Sequence, residues 1–237
     1  MKSETYAYSN GVTNFLGYLA RPDTGENVPG VLVVHAAPGL GDHAKLQAER
    51  LAGLGYAALA VDLYGNGEIG VGFEAAVALL RSLQADPAVH RQRLRHGLET
   101  LAGLPDVDAE RLAAIGYCSG GMGVLELARS GAPVAGVVSF HGLLETPMEA
   151  APGAIESQIL VCAGSADPMV PPTQIQAFAE EMSRAKADWQ IITYGGAGHA
   201  FTDRAVDDLG LPGFGYDERA DRRSWLAMRA FLAEIFG

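Results

Sequence analysis

The segment Gly116-Tyr117-Cys118-Ser119-Gly120 sets a thiol between two glycines, after an apolar run and before a helical one. This has the form of a nucleophile elbow with Cys where Ser is usual. Such a turn is strained, and bulk two residues to either side of the nucleophile would meet neighbouring chain. It lifts the side chain clear of the sheet and aims the first free N–H groups of the helix at the reaction centre. A free thiol has a pKa of about 8.5, so only a few per cent is thiolate at pH 7. A helix N-terminus and a neighbouring His lower that by about two units, roughly 2.7 kcal/mol. The bland alternative is a cysteine acting as a small buried hydrophobe.

An elbow of this kind requires an acid and then a histidine further along the chain. Asp167 follows the apolar run 159–163, and His199 follows the run ending at Tyr194. Cys118, Asp167 and His199 are therefore the expected catalytic triad. His199 takes the thiol proton and returns it to the leaving group. Asp167 holds the imidazole in the right tautomer and stabilises its charged form. The expected oxyanion hole uses the backbone N–H groups of Ser119 and Ala37.

The elements that must position these groups are legible as alternating periods. Residues 4–9 and 13–21 read as a hairpin around Asn10-Gly11. Runs 30–35, 56–63, 111–117, 134–140, 159–163 and 188–194 read as strands. The first of them is continuously apolar, as a strand buried on both faces would be. Stretches 43–54, 73–83, 87–104, from about 121 to 129, 173–186 and 217–236 read as helices. Strand and helix alternate after the opening hairpin, which predicts an α/β fold with a mostly parallel central sheet and helices on both faces. No linker, repeat or charge block interrupts it, so 1–237 reads as one domain.

Composition narrows the function. A formal net charge of −11 disfavours nucleic acid and anionic membranes as partners. Two cysteines, Cys118 and Cys162, exclude a disulfide scaffold and a cysteine-based zinc site. The N-terminus MKSETYAYSN has no apolar run resembling a signal peptide, and no stretch suits a membrane span, which predicts a cytoplasmic protein. Gly65-Asn66-Gly67-Glu68-Ile69-Gly70 fits a dinucleotide fingerprint but lacks the second strand and the acid some twenty residues on. His35 and His43 lack metal-ligand spacing, so no metal is expected. His90, Arg91, Arg93, Arg95 and His96 read as a solvated helix face, and Cys162 as core.

Several segments resemble the dienelactone hydrolase family over nearly the whole length. They are Val33-Val34-His35 through Leu40, Asp62-Leu63-Tyr64-Gly65, Gly116–Gly121, Ser139-Phe140-His141-Gly142, Gly198-His199-Ala200-Phe201, and Tyr216-Asp217 through Trp225. The resemblance implies the α/β-hydrolase fold, no cofactor, and hydrolysis of small esters or lactones by a Cys–His–Asp triad. It implies a small-molecule substrate and a monomer or small homo-oligomer. Pocket candidates are Ala36, Tyr64, His141, Phe201 and Arg204. Two departures stand out. Many members carry Glu after the His of the first long strand, where it helps activate the cysteine; here that position is Ala36. Members acting on dienelactone itself hold its carboxylate with an arginine shortly after the catalytic His; here Asp203 precedes Arg204 and shifts the spacing. Ala36 leaves open a second reading, a weak or inactive ligand-binding protein on the same scaffold.

Overall fold

The computed structural model describes residues 1–23 and 27–237. Among the described residues, eight strands form one mostly parallel sheet in the order β1-β2-β4-β3-β5-β6-β7-β8, numbered along the chain. The chain divides into two compact units, Met1–Ile115 and Gly116–Gly237.

In the first unit β1 (Lys2–Ser9) and β2 (Asn14–Arg21) form the antiparallel hairpin. Ser9 pairs with Asn14, so the connection takes four residues rather than the Asn10-Gly11 pair alone. The Asn10 carboxamide oxygen accepts the N–H groups of Val12 and Thr13, at 3.0 and 2.8 Å. β2 runs antiparallel to β4 (Ala57–Val61), and β4 parallel to β3 (Val28–Val34). Residues 31–34 and 57–61 are wholly buried, which is why both strands are apolar at every position.

Helices α1 (Asp42–Ala52) and α3 (Pro87–Ala102) pack on β3 and β4, and α2 (Phe73–Gln84) packs on α3. Asp86 caps α3 by accepting from Ala88 and Val89, and Pro87 opens it. Gly97 lets α3 lie close to β4, since a Cβ there would sit 2.6 Å from the Val61 side chain. The expected solvated face of α3 is a correction. His90 is 4% exposed, and His96 lies 5.6 Å from the Tyr8 ring and 5.9 Å from the Phe15 ring. The Arg93 guanidinium donates to the carbonyls of Leu63 and Tyr64. Arg93 thus lays its stem along the protein and directs its charge to loop carbonyls.

β5 (Val107–Tyr117) leads into the second unit, where α4 (Ser119–Arg129) starts directly after Cys118. That is two residues earlier than the spacing suggested. β6 (Gly136–Phe140), β7 (Gln158–Gly164) and β8 (Trp189–Tyr194) pair in parallel. α4 packs on β6, and α6 (Glu218–Phe236) on β6 and β7. α5 (Pro172–Ala185) contributes a buried ionic cluster. Arg129 pairs bidentately with Glu181 at 2.8 and 2.7 Å, with Glu126 at 3.0 Å, and with the Leu144 carbonyl at 2.7 Å. A 3-10 turn, Arg204–Leu209, has no counterpart in the sequence reading. Among the described residues, no helix is long and apolar enough to cross a membrane. None of their His, Cys, Asp and Glu side chains cluster in threes suited to a metal.

Candidate active site

The bend at Cys118 is built by steric necessity. Cys118 has φ +53° and ψ −116°, a conformation that L residues rarely hold. A Cβ on Gly116 would run into the Gly120 carbonyl, so only glycine lets the strand and helix meet there. A second close contact lies beneath. Cβ atoms on Gly121 and Gly142 would sit 2.8 and 2.5 Å from the Ser139 hydroxyl. The Cys118 N–H is shared between the Phe140 carbonyl at 3.0 Å and His141 Nδ1 at 3.1 Å. Ser119 opens α4, so its N–H belongs to the unpaired first turn of the helix.

His199 Nε2 lies 3.1 Å from Cys118 Sγ, and His199 Nδ1 lies 2.9 Å from Asp167 Oδ2. The second Asp167 oxygen accepts the Met169 N–H at 2.8 Å. The two loops carrying this pair come together backbone to backbone. A Cβ on Gly164 would strike the Ala197 carbonyl, and one on Gly198 the Gly213 carbonyl. His199 is held through its own peptide: its N–H donates to Gly213 at 2.8 Å, and its carbonyl accepts from Gly215 at 3.1 Å. The Phe214 ring lies 4.7 Å away.

This environment decides the charge of the imidazole. Burial disfavours the protonated ring. The hydrogen bonds to Asp167 and Cys118, with the negative charge of both partners, outweigh burial and raise the His199 pKa to about 10. Burial pushes the thiol of Cys162, the other cysteine, up to about 12, as suits a core residue.

The other expected residues divide. Phe201 is fully buried, edge-on to His141 at 5.0 Å, and His141 is 2% exposed. Both rings are thus buried beside His199, which is itself 2% exposed. Arg204 is exposed, stacked 4.0 Å over the Tyr216 ring and donating to its hydroxyl at 2.9 Å. Tyr216 in turn donates to Asp221 at 3.1 Å. In the first unit, the Tyr64 hydroxyl donates to the Ala37 carbonyl at 2.7 Å. His35 Nε2 accepts the Leu63 N–H, so His35 Nδ1 donates to the Ala36 carbonyl at 2.7 Å. Burial lowers the pKa of His35, which keeps this ring neutral. Ala36 and Ala37 thus sit in a loop whose carbonyls are already engaged. Asp62 secures the neighbouring loop by accepting N–H groups from Leu16, Tyr64, Gly65 and Gly67.

Sequence reasoning missed Thr202, Gly213 and Phe214. Thr202 Oγ1 lies 2.8 Å from His141 Nε2. Only the glycines Gly213 and Gly215, flanking an aromatic residue ahead of the α6 cap, hinted at a loop folded back on His199.

A parallel sheet carrying a strained strand-to-helix bend, with acid and histidine on later loops, defines a hydrolase of the α/β-hydrolase fold. The chain belongs to the dienelactone hydrolase family, whose sequence model matches residues 15–236. It is 44% identical to a solved structure named m3DLH, with a TM-score of 0.93 and 100% and 99% of the two chains covered. A dienelactone hydrolase-like promiscuous phosphotriesterase, P91, from metagenomic libraries is 39% identical, with a TM-score of 0.90 and 100% and 99% covered. A Bradyrhizobium protein described as a probable 2-oxo-3-(5-oxofuran-2-ylidene)propanoate lactonase is 28% identical, covering 81% of each chain.

Proposed function

We propose that the chain hydrolyses small carboxylic esters or lactones through a thioester acyl-enzyme on Cys118. One observation carries the reading: the unbroken line from Asp167 through His199 to Cys118, with contacts of 2.9 and 3.1 Å. The imidazole and the sulfur share one proton. The sulfur attacks the carbonyl carbon, and the π electrons move onto the oxygen. The Ser119 N–H, at the positive end of α4, receives that developing oxyanion. As the tetrahedral adduct collapses, the C–O bond to the alcohol breaks and His199 Nε2 delivers its proton to the departing oxygen. In a lactone the same step opens the ring and leaves one product tethered to sulfur. Water then enters, His199 takes a proton from it, and hydroxide adds to the thioester. The thiolate departs, and the carboxylic acid is released.

Asp167 accepts from Nδ1–H throughout, which keeps Nε2 turned to the sulfur and stabilises the imidazolium. Its own anchor at Met169 keeps the carboxylate oriented while the proton moves.

The test is intact-mass analysis during turnover of p-nitrophenyl acetate. An acetyl adduct that maps to Cys118 and decays with the steady-state rate supports the reading. Unchanged turnover in Cys118→Ala refutes it. The P91 neighbour gives the substrate panel one further member, a phosphotriester, to set beside esters, lactones and thioesters.

A further inference from the structure

We propose that His141 is a positioning residue that holds the Cys118 peptide and the His199 loop in one frame; this rests on the reading of Cys118 as nucleophile. His141 follows β6 with φ +41°, and its ring is 2% exposed. Both ring nitrogens are engaged. Nδ1 accepts the Cys118 N–H at 3.1 Å, and Nε2 faces Thr202 Oγ1 at 2.8 Å. Since Nδ1 accepts, the ring proton sits on Nε2 and is donated to Thr202. Only the neutral imidazole in this tautomer can make both bonds. His199 and Thr202 lie three positions apart, so the strut runs from the nucleophile's own backbone to the loop of the base.

The packing around the ring is consistent with a fixed strut. The His199 ring stands edge-on at 5.5 Å and Phe201 edge-on at 5.0 Å, with Tyr117 at 6.1 Å. The Cys118 N–H has a second acceptor, the Phe140 carbonyl. A bend made only to connect β5 and α4 would be satisfied by that bond. The added bond to His141 fixes the rotation of the peptide entering a strained residue. That rotation governs where Sγ points and where the next N–H, that of Ser119, is aimed. A tilt of this peptide moves the sulfur off Nε2 and the oxyanion donor off its target together, so the effect falls on the chemical step.

Three variants test the strut with p-nitrophenyl acetate turnover and with iodoacetamide alkylation of Cys118 followed by mass. His141→Leu keeps bulk and removes the acceptor. It is expected to lower kcat by about 10- to 100-fold, the effect of leaving a buried polar partner unmade, with KM within about twofold. Alkylation at neutral pH slows in the same direction. His141→Asn places an oxygen near the position of Nδ1 and tolerates a positive φ. It is expected to recover kcat to within about tenfold of wild type. Thr202→Val cuts the far end of the strut and lowers kcat by about three- to tenfold, a neutral hydrogen bond's worth.

Wild-type kcat in His141→Leu, or equal impairment in His141→Asn and His141→Leu, overturns the proposal. If His141→Leu does not fold, Thr202→Val decides alone, and wild-type kcat there overturns it. Cys118→Ala run in parallel separates the two levels. Turnover retained in Cys118→Ala sinks the nucleophile assignment itself, whereas turnover lost there with wild-type behaviour in the strut variants sinks only the role of His141.

Discussion

Asp167 and His199 meet at 2.9 Å with side chains 0% and 2% exposed, so the pair beside the Cys118 sulfur is screened from water. A carboxylate in this position does two things at once. It selects the Nδ1–H tautomer, and it makes the imidazolium cheap to form. Asp167→Asn keeps the shape and reverses the first effect, because an amide can present N–H to Nδ1. Ester turnover is expected to fall by about 10³- to 10⁴-fold, with the fold kept but the Tm lowered, because the charged partner of His199 is gone. Steady-state kinetics beside a melting curve check it, and a fall of less than about tenfold would count against the proposed role.

The raised His199 pKa has a direction that can be read in stability. The folded value, about 10, lies above the ordinary histidine value near 6.5. Proton binding to His199 therefore favours the folded state. That contribution is complete below about pH 6.5 and is lost as pH climbs toward about 10. Denaturant unfolding of the wild type at several pH values across this window is expected to show stability declining toward the alkaline end. In Asp167→Asn the decline should be shallower, because a principal source of the raised pKa is gone. Equal slopes in the two proteins would argue against the Asp167 contribution.

The backbone contact at the bend predicts a sharp penalty. Gly116→Ala puts a Cβ into the Gly120 carbonyl, and neither atom can swing away as a side-chain tip would. Overpacking of this kind costs about 1–3 kcal/mol or more. For a chain of this size each kcal/mol lowers Tm by roughly 2–4 °C. Thermal melts check this, and an unshifted Tm would show that β5 and α4 approach less closely than described.

The ionic cluster on α4 and α5 gives a prediction far from chemistry. Arg129 is fully enclosed and serves two glutamates and a carbonyl. Arg129→Leu leaves Glu126 and Glu181 without their shared cation, and losing one partner of a buried pair costs about 3–5 kcal/mol. Urea unfolding is expected to show a lower midpoint, and removing both glutamates together with Arg129 is expected to restore most of it.

The residues of the proposed triad were legible as candidates because each follows the end of a strand, and strand ends are read from apolar period. The bend was legible because its first glycine is forced: Gly116 cannot carry a Cβ. His141 and Thr202 were illegible for the opposite reason. Their link joins residues 61 positions apart, and neither residue type is demanded by backbone shape. The α3 face was misread because periodicity counts charges and cannot see that Arg93 ends on two loop carbonyls. Phe201 stands two residues after His199 and is fully buried, with Ala200 between them at a positive φ of +58°.

The contact between residues 116 and 120 is made of main-chain atoms alone, and it makes no use of sulfur. The same mould would hold up an oxygen atom as readily as the thiol it carries. In such a design the atom borne at position 118 is the replaceable part, open to exchange over evolutionary time, while the hydrogen that stands in for a side chain at Gly116 is fixed for good.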